Sequence, residues 1–191
     1  MASWIIAISH YGIWKRSRRR SSKRWRASII PALNILRERN LEMRAPRVDL
    51  TIQLNPQIEA EIDEERLHHL AVETLRLEGV AQSFELGLFI TDDGGIRELN
   101  RRYRGVDEPS DVLAFGGEVE GFVSPVLHLG DIVISYPRAA SQALERGHSV
   151  AQEIDLLFLH GILHLLGYED ETPEKRVRMW ARQEEVLGAL R

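Results

Sequence analysis

The chain has no cysteine. That excludes a disulfide framework, an iron–sulfur cluster and any thiolate-ligated metal, so a metal here would be held by nitrogen and oxygen alone. The absence also fits a reducing compartment. No apolar run reaches the ~18 residues of a membrane span, so no membrane partner is expected. The opening MASWIIAISHYGIW is apolar, but the basic run follows it, whereas a secretory signal places charge first. A cytoplasmic location is the expectation. There is no internal repeat and no low-complexity tract outside that basic run. What is present suits a soluble, folded domain: 191 residues, 43% hydrophobic and 28% charged.

The net charge of −4 conceals an asymmetry. Residues 1–46 carry 11 Lys and Arg against Glu38 and Glu42, a balance of +9; the remaining 14 basic and 27 acidic residues leave −13 for residues 47–191. The basic segment, centred on KRSRRRSSKRWR, reads as an N-terminal extension. It is either a disordered tail or the product of a start codon placed upstream of Met43; an arm for RNA or a membrane surface is the functional alternative.

From residue 47 the pattern becomes regular. VDLTIQL (48–54) alternates as a half-buried strand, and Asn55–Pro56 followed by Ile58, Ile62, Leu70 and Leu77 predicts a helix over 57–78. FELGLFI (84–90), DVLAF (111–115) and GDIVIS (130–135) read as further strands. Asp92 or Asp93 opens a helix that ends near Gly105, PRAASQALERG forms another, Ser149 caps the longest, and Pro173 starts a last one to about Leu190. The order β-α-β-α-β-β-α-α-α implies one compact α/β (α+β) domain over 47–191, a small mixed sheet packed with helices.

Chemistry concentrates in HGILHLLGYED (160–170). On a helix, His160 and His164 lie one turn apart on one face and can aim two imidazoles at one cation. Gly167 ends the helix, so the chain can turn back with Asp170, Glu169 or Glu171 to complete the set. The arrangement is similar to the metalloprotease helix HExxHxxGxx(H/D), a zincin-like metal-binding helix. The protease requires Glu after the first His as general base, and this chain has Gly161 there.

HGILHLLGYED resembles the HGxLHLxGYDH signature of the YbeY family, the metal-dependent endoribonucleases of bacterial rRNA maturation. LNRRYRGVDEPSDVLAF (99–115) resembles the family's LNxxYRxxDxPTDVLSF, and GDIVIS followed by a helix with Gln142–Ala143 makes a third block. The blocks keep the family's order, and the resemblance covers about residues 47–190. It implies a compact α/β domain with one zinc ion held by three signature side chains. Two are His160 and His164; the third, a histidine in the family, falls on Asp170. An aspartate adds a negative charge, which implies a less Lewis-acidic metal, and its harder oxygen leaves manganese or magnesium open. The resemblance also makes Arg104 the catalytic arginine of the cleft, where a guanidinium fork matches phosphoryl oxygens.

The implied function is a single-strand-specific endoribonuclease acting at the 16S rRNA 3′ end and in ribosome quality control. The implied partners are rRNA, small-subunit components and a ribosome-associated GTPase, with no DNA. The acidic balance is awkward for RNA unless the cleft is locally basic through Arg97, Arg101, Arg102, Arg104 and Arg138, or partners deliver the substrate. Two rivals stand beside it. One is a non-catalytic assembly factor with a structural metal; the other is a metal-dependent hydrolase of another substrate. Of the remaining polar residues, Ser110 and Asp111 are expected to shape a loop, His148 to cap a helix, Tyr168 to pack, and His68 and His69 to lie on the surface; His128 has no fixed place.

Overall fold

In the computed structural model, residues 47–80, 82–116 and 126–190 are described. The basic extension over residues 1–46 lies outside them. Four strands form one mixed sheet in the order β1-β2-β4-β3. They are β1 (Val48–Leu54), β2 (Ser83–Thr91), β3 (Val112–Gly116) and β4 (Val126–Ser135). β1, β2 and β4 run parallel, and β3 pairs antiparallel with β4 as the edge. The helices are α1 (Glu64–Leu77), α2 (Asp93–Arg104), α3 (Tyr136–Arg146), α4 (Val150–Leu165) and α5 (Pro173–Ala189). No helix among the described residues is long and apolar enough to cross a membrane.

The two-residue period of the strands sorts their side chains between two faces. Phe84, Leu86, Leu88 and Ile90 of β2, with Ile132 and Ile134 of β4, join Leu67, Leu70 and Leu75 of α1 and Phe158, Leu159, Ile162 and Leu163 of α4 in the main core. Leu113 and Val133, on the other face, pack with Ile96 of α2 in a smaller cluster. The sheet thus lies between α2 and a layer containing α1, α4 and α5.

Two expectations are corrected. The first helix begins at Glu64, not 57. The Asn55 carboxamide accepts from the Gln57 amide (3.0 Å) and Ile58 donates back to the Asn55 carbonyl (2.8 Å), so the chain makes a turn where a helix start was expected. The true cap is Asp63, which accepts from the Arg66 amide. The fourth strand begins at Val126, not 130, because β2 continues to pair with it through a bulge between Glu85 and Leu86. Gly130 follows that bulge with φ +147, and a Cβ there would lie 2.3 Å from the Phe115 carbonyl oxygen. Only glycine allows this approach of β3 to β4.

Candidate metal centre

The helix α4 is fixed at both ends. Ser149 and Gln152 form a reciprocal capping box at its start. At its end Gly167 adopts φ 95, its amide donates to the His164 carbonyl (3.0 Å), and the Tyr168 amide donates to that of Leu163 (2.9 Å). This is the Schellman turn that a glycine two residues past the last helical residue permits. The turn brings the Tyr168 carbonyl to 3.0 Å from His164 Nδ1. A carbonyl can only accept, so Nδ1 carries the proton and Nε2 presents a lone pair.

That lone pair meets two other donors. His160 Nε2 is 3.0 Å from His164 Nε2, and the Asp170 carboxylate lies 4.0 Å from His160 Nε2 through Oδ2 and 4.0 Å from His164 Nε2 through Oδ1. The three ligand atoms all fall within 4.8 Å of one another. Tetrahedral zinc, at its usual bond lengths to nitrogen and oxygen, separates its ligand atoms by about 3.3–3.5 Å. The observed spacings bracket that value, and two neutral imidazoles with one carboxylate are a fitting donor set for a divalent cation. Burial and the adjacent His164 ring push His160 below its ordinary value, against smaller opposing effects of Asp170, Gln183 and Asp111. It is thereby kept neutral, the form that ligates.

The surroundings hold the three groups in place. Gln183 of α5 lies beside the His160 ring and favours its charged form. Arg176, also on α5, donates through Nε (3.3 Å) and Nη2 (3.2 Å) to the Asp170 backbone carbonyl. Neither contact was anticipated from sequence. The available signal was Gln183 itself, a polar residue in helical register with the buried Met179 and Val186. Of the flanking acids, Glu169 pairs with Lys175 and Glu171 is exposed; Asp170 is the one brought to the histidines.

Gly161 turns the other way. A Cβ there would lie 2.9 Å from the Ile132 side chain in the core. Position 161 is packed against the sheet, and the zincin peptidase base is absent because Gly161 has no side chain to supply it.

Arg104 is the last residue of α2, exposed, with Gly105 as its left-handed cap. It does not touch the His160–His164–Asp170 group. Its helix end reaches the same end of the sheet through a chain of contacts: Tyr103 stacks edge-on against Phe115 (5.4 Å), and Phe115 and Leu165 both crowd Gly130. Arg97, Arg101 and Arg138 are paired with Asp107 (2.9 Å), Glu98 (2.5 Å) and Asp93 (3.1 Å), and Arg102 lies over the Tyr103 ring. Among the described residues Arg104 has no such partner, so its guanidinium is available to an anion.

The other polar residues have structural places. Asp111 accepts from Val112 (2.8 Å) and Gln142 (3.0 Å). Burial pushes its carboxyl up, but those bonds and one from Ser110 outweigh burial and hold it low. His148 does not cap α4; its Nε2 lies 2.6 Å from the buried Glu153 carboxylate, which Arg146 also meets at 2.5 Å. His128 is 3.3 Å from Asp131, His68 bonds the Val48 carbonyl, and the Tyr168 hydroxyl donates to Glu78 (3.0 Å). His69 is exposed.

The family profile described as Endoribonuclease YbeY matches residues 51–191. An Endoribonuclease YbeY of Roseiflexus castenholzii is 44% identical over 144 residues, covering 73% of this chain and 91% of that protein. One of Moorella thermoacetica is 48% identical over 120 residues, 59% of this chain and 77% of that protein. A solution structure from Thermotoga maritima covers 75% of this chain and 91% of its own at 24% identity, with a TM-score of 0.45. With the profile spanning most of its length and relatives this similar, the chain belongs to the endoribonuclease YbeY family.

Proposed function

We propose that this chain is a metal-dependent endoribonuclease that cuts single-stranded rRNA, acting in maturation of the 16S rRNA 3′ end and in ribosome quality control. The observation that carries the reading is the convergence of His160 Nε2, His164 Nε2 and the Asp170 carboxylate at one partly exposed point, with the His164 tautomer set by the Tyr168 carbonyl. These three side chains would hold one zinc ion, with manganese or magnesium as the alternatives that an oxygen donor admits. Bound there, the cation supplies Lewis-acid chemistry, drawing charge from a phosphoryl oxygen and easing deprotonation of water.

The chain's own residues do the rest. The Tyr168 carbonyl orients the His164 imidazole, and Arg176 fixes the turn that carries Asp170. Phosphodiester hydrolysis builds charge on the non-bridging oxygens, and the Arg104 fork donates two N–H groups to them. No side chain is assigned as general base. The proposed partners are rRNA and small-subunit components, with a ribosome-associated GTPase, in the cytoplasm. Protein delivery of the substrate accommodates the −13 balance of residues 47–191.

The test is cleavage of a 16S 3′-end RNA in single-stranded and duplex form by metal-loaded protein. Cutting of the single strand alone is expected, with loss on chelation and return on adding zinc. Arg104→Ala should lower kcat/KM by about 10²-fold or more without changing the fold. If Arg104→Ala supports ribosome maturation as well as the parent while chelation unfolds the protein, the metal is structural and the chain is an assembly factor.

A further inference from the structure

We propose that Trp180 is a base-stacking residue for the RNA substrate, an exposed indole on the rim of the His160–His164–Asp170 group that receives an unstacked base beside the scissile phosphodiester. The inference rests on the endoribonuclease reading above and adds a binding residue to it.

The helix α5 is pinned to the site by Arg176 at the Asp170 carbonyl, and the partly polar stripe that carries this contact continues to Gln183, beside the His160 ring. Trp180 is four residues after the first and three before the second. At 3.6 residues per turn it stands about 40° from Arg176 and about 60° from Gln183 around the helix, and between them along its axis. The opposite flank of α5 is tied to α1, since Arg182 donates to Glu78 Oε1 (2.5 Å) and to the Leu77 carbonyl. The flank bearing Trp180 therefore turns away from α1, on the side of the helix from which Arg176 reaches the Asp170 carbonyl.

The indole is 56% exposed, and Val177, three residues earlier on the outer side of the same flank, is 62% exposed. Among the described residues Trp180 enters no ring stacking, hydrogen bond or ion pair. An aromatic of this size left in water forgoes the burial that usually stabilises it. Single-stranded RNA supplies the complement. Its unpaired bases offer a π-face whatever their identity, and stacking on an aromatic side chain is a sequence-tolerant way to hold them. A duplex keeps its bases stacked and cannot offer one, so an indole at this point would favour single strands. The exposed Arg176 guanidinium, one turn away, could follow the backbone phosphate of the same nucleotide.

The experiment measures kcat/KM of the full-length, metal-loaded protein on single-stranded RNAs carrying one abasic nucleotide at successive positions around the cut. Wild type should lose about tenfold at one flanking position and little elsewhere, within the roughly 5- to 150-fold range of one stacked base. Trp180→Ala should show a similar loss on intact RNA and become indifferent to the abasic nucleotide at that position; Trp180→Phe should recover most of the activity. Because the side chain is exposed, all variants should melt within about 2 °C of wild type. If Trp180→Ala cuts intact RNA as well as wild type does, or remains as sensitive to the abasic nucleotide, the stacking role is overturned while the endoribonuclease reading stands. If wild type cuts none of the RNAs, both fall.

Discussion

At the scale of single residues, the site depends on which atom of each side chain is already occupied. His164 can offer Nε2 because the Tyr168 carbonyl holds Nδ1, and Arg104 can offer its fork because the nearby arginines have partners. Gly161 shows the same logic in reverse. Gly161→Glu would drive a carboxylate at Ile132 in the core, costing about 3 kcal/mol or more from overpacking and buried charge, and would create no peptidase activity. A thermal melt with a casein-type assay checks both halves. His128 provides a pH test away from the ligands. Asp131 beside it holds its pKa above the ordinary value, against the effect of burial. The folded pKa is the higher one, so the pair's contribution is complete below about pH 6.5 and is lost as pH rises through the folded value. For a half-exposed pair this is about 0.2–1 kcal/mol. Melts of wild type and His128→Gln should therefore differ at pH 6 and converge at alkaline pH; a constant gap would show that the ion pair does not contribute.

At the scale of elements, α4 was legible in the sequence because every signal agrees: Ser149 and Gln152 at the cap, an apolar run, Gly167 at the stop. β1 and β2 were legible from alternation, and β3 and the later part of β4 as short apolar runs. The start of α1 was not. Asn55–Pro56 carries a cap signal, and the side chain of Asn55 satisfies it with a turn instead. The early part of β4 was also missed, because Val126–Leu129 is ordered by pairing with β2, a tertiary contact with no local signature. In the site, the histidine pair and Asp170 could be read from spacing and family resemblance. The role of α5 could not, since Gln183 and Arg176 gain theirs only when two helices meet. Arg182, by its contacts with Glu78 and the Leu77 carbonyl, ties α5 to α1. Arg182→Ala should destabilise the domain by about 1–3 kcal/mol, leaving the Leu77 carbonyl without its partner and the Glu78 carboxylate with the Tyr168 hydroxyl alone. It should also weaken metal affinity, because Gln183 and Arg176 ride on the same helix; denaturant melts and metal titration read the two effects.

At the scale of the whole molecule, fold and metal group are separable. The main core joins β1, β2 and β4 to α1, α4 and α5 through side chains such as Phe84, Leu67 and Phe158, and the three ligand residues are all partly exposed beside it. Chelation should therefore abolish cleavage while leaving a folded domain whose melting temperature falls only by the lost binding free energy. Far-UV circular dichroism before and after chelation distinguishes this from a structural metal, whose removal would unfold the chain. The most direct test of the central claim is metal content by elemental mass spectrometry on wild type and Asp170→Ala, each assayed for cleavage of single-stranded rRNA. The account predicts about one zinc per wild-type chain and loss of both metal and cleavage in the variant. An Asp170→Ala protein that keeps its metal and still cuts RNA would contradict it.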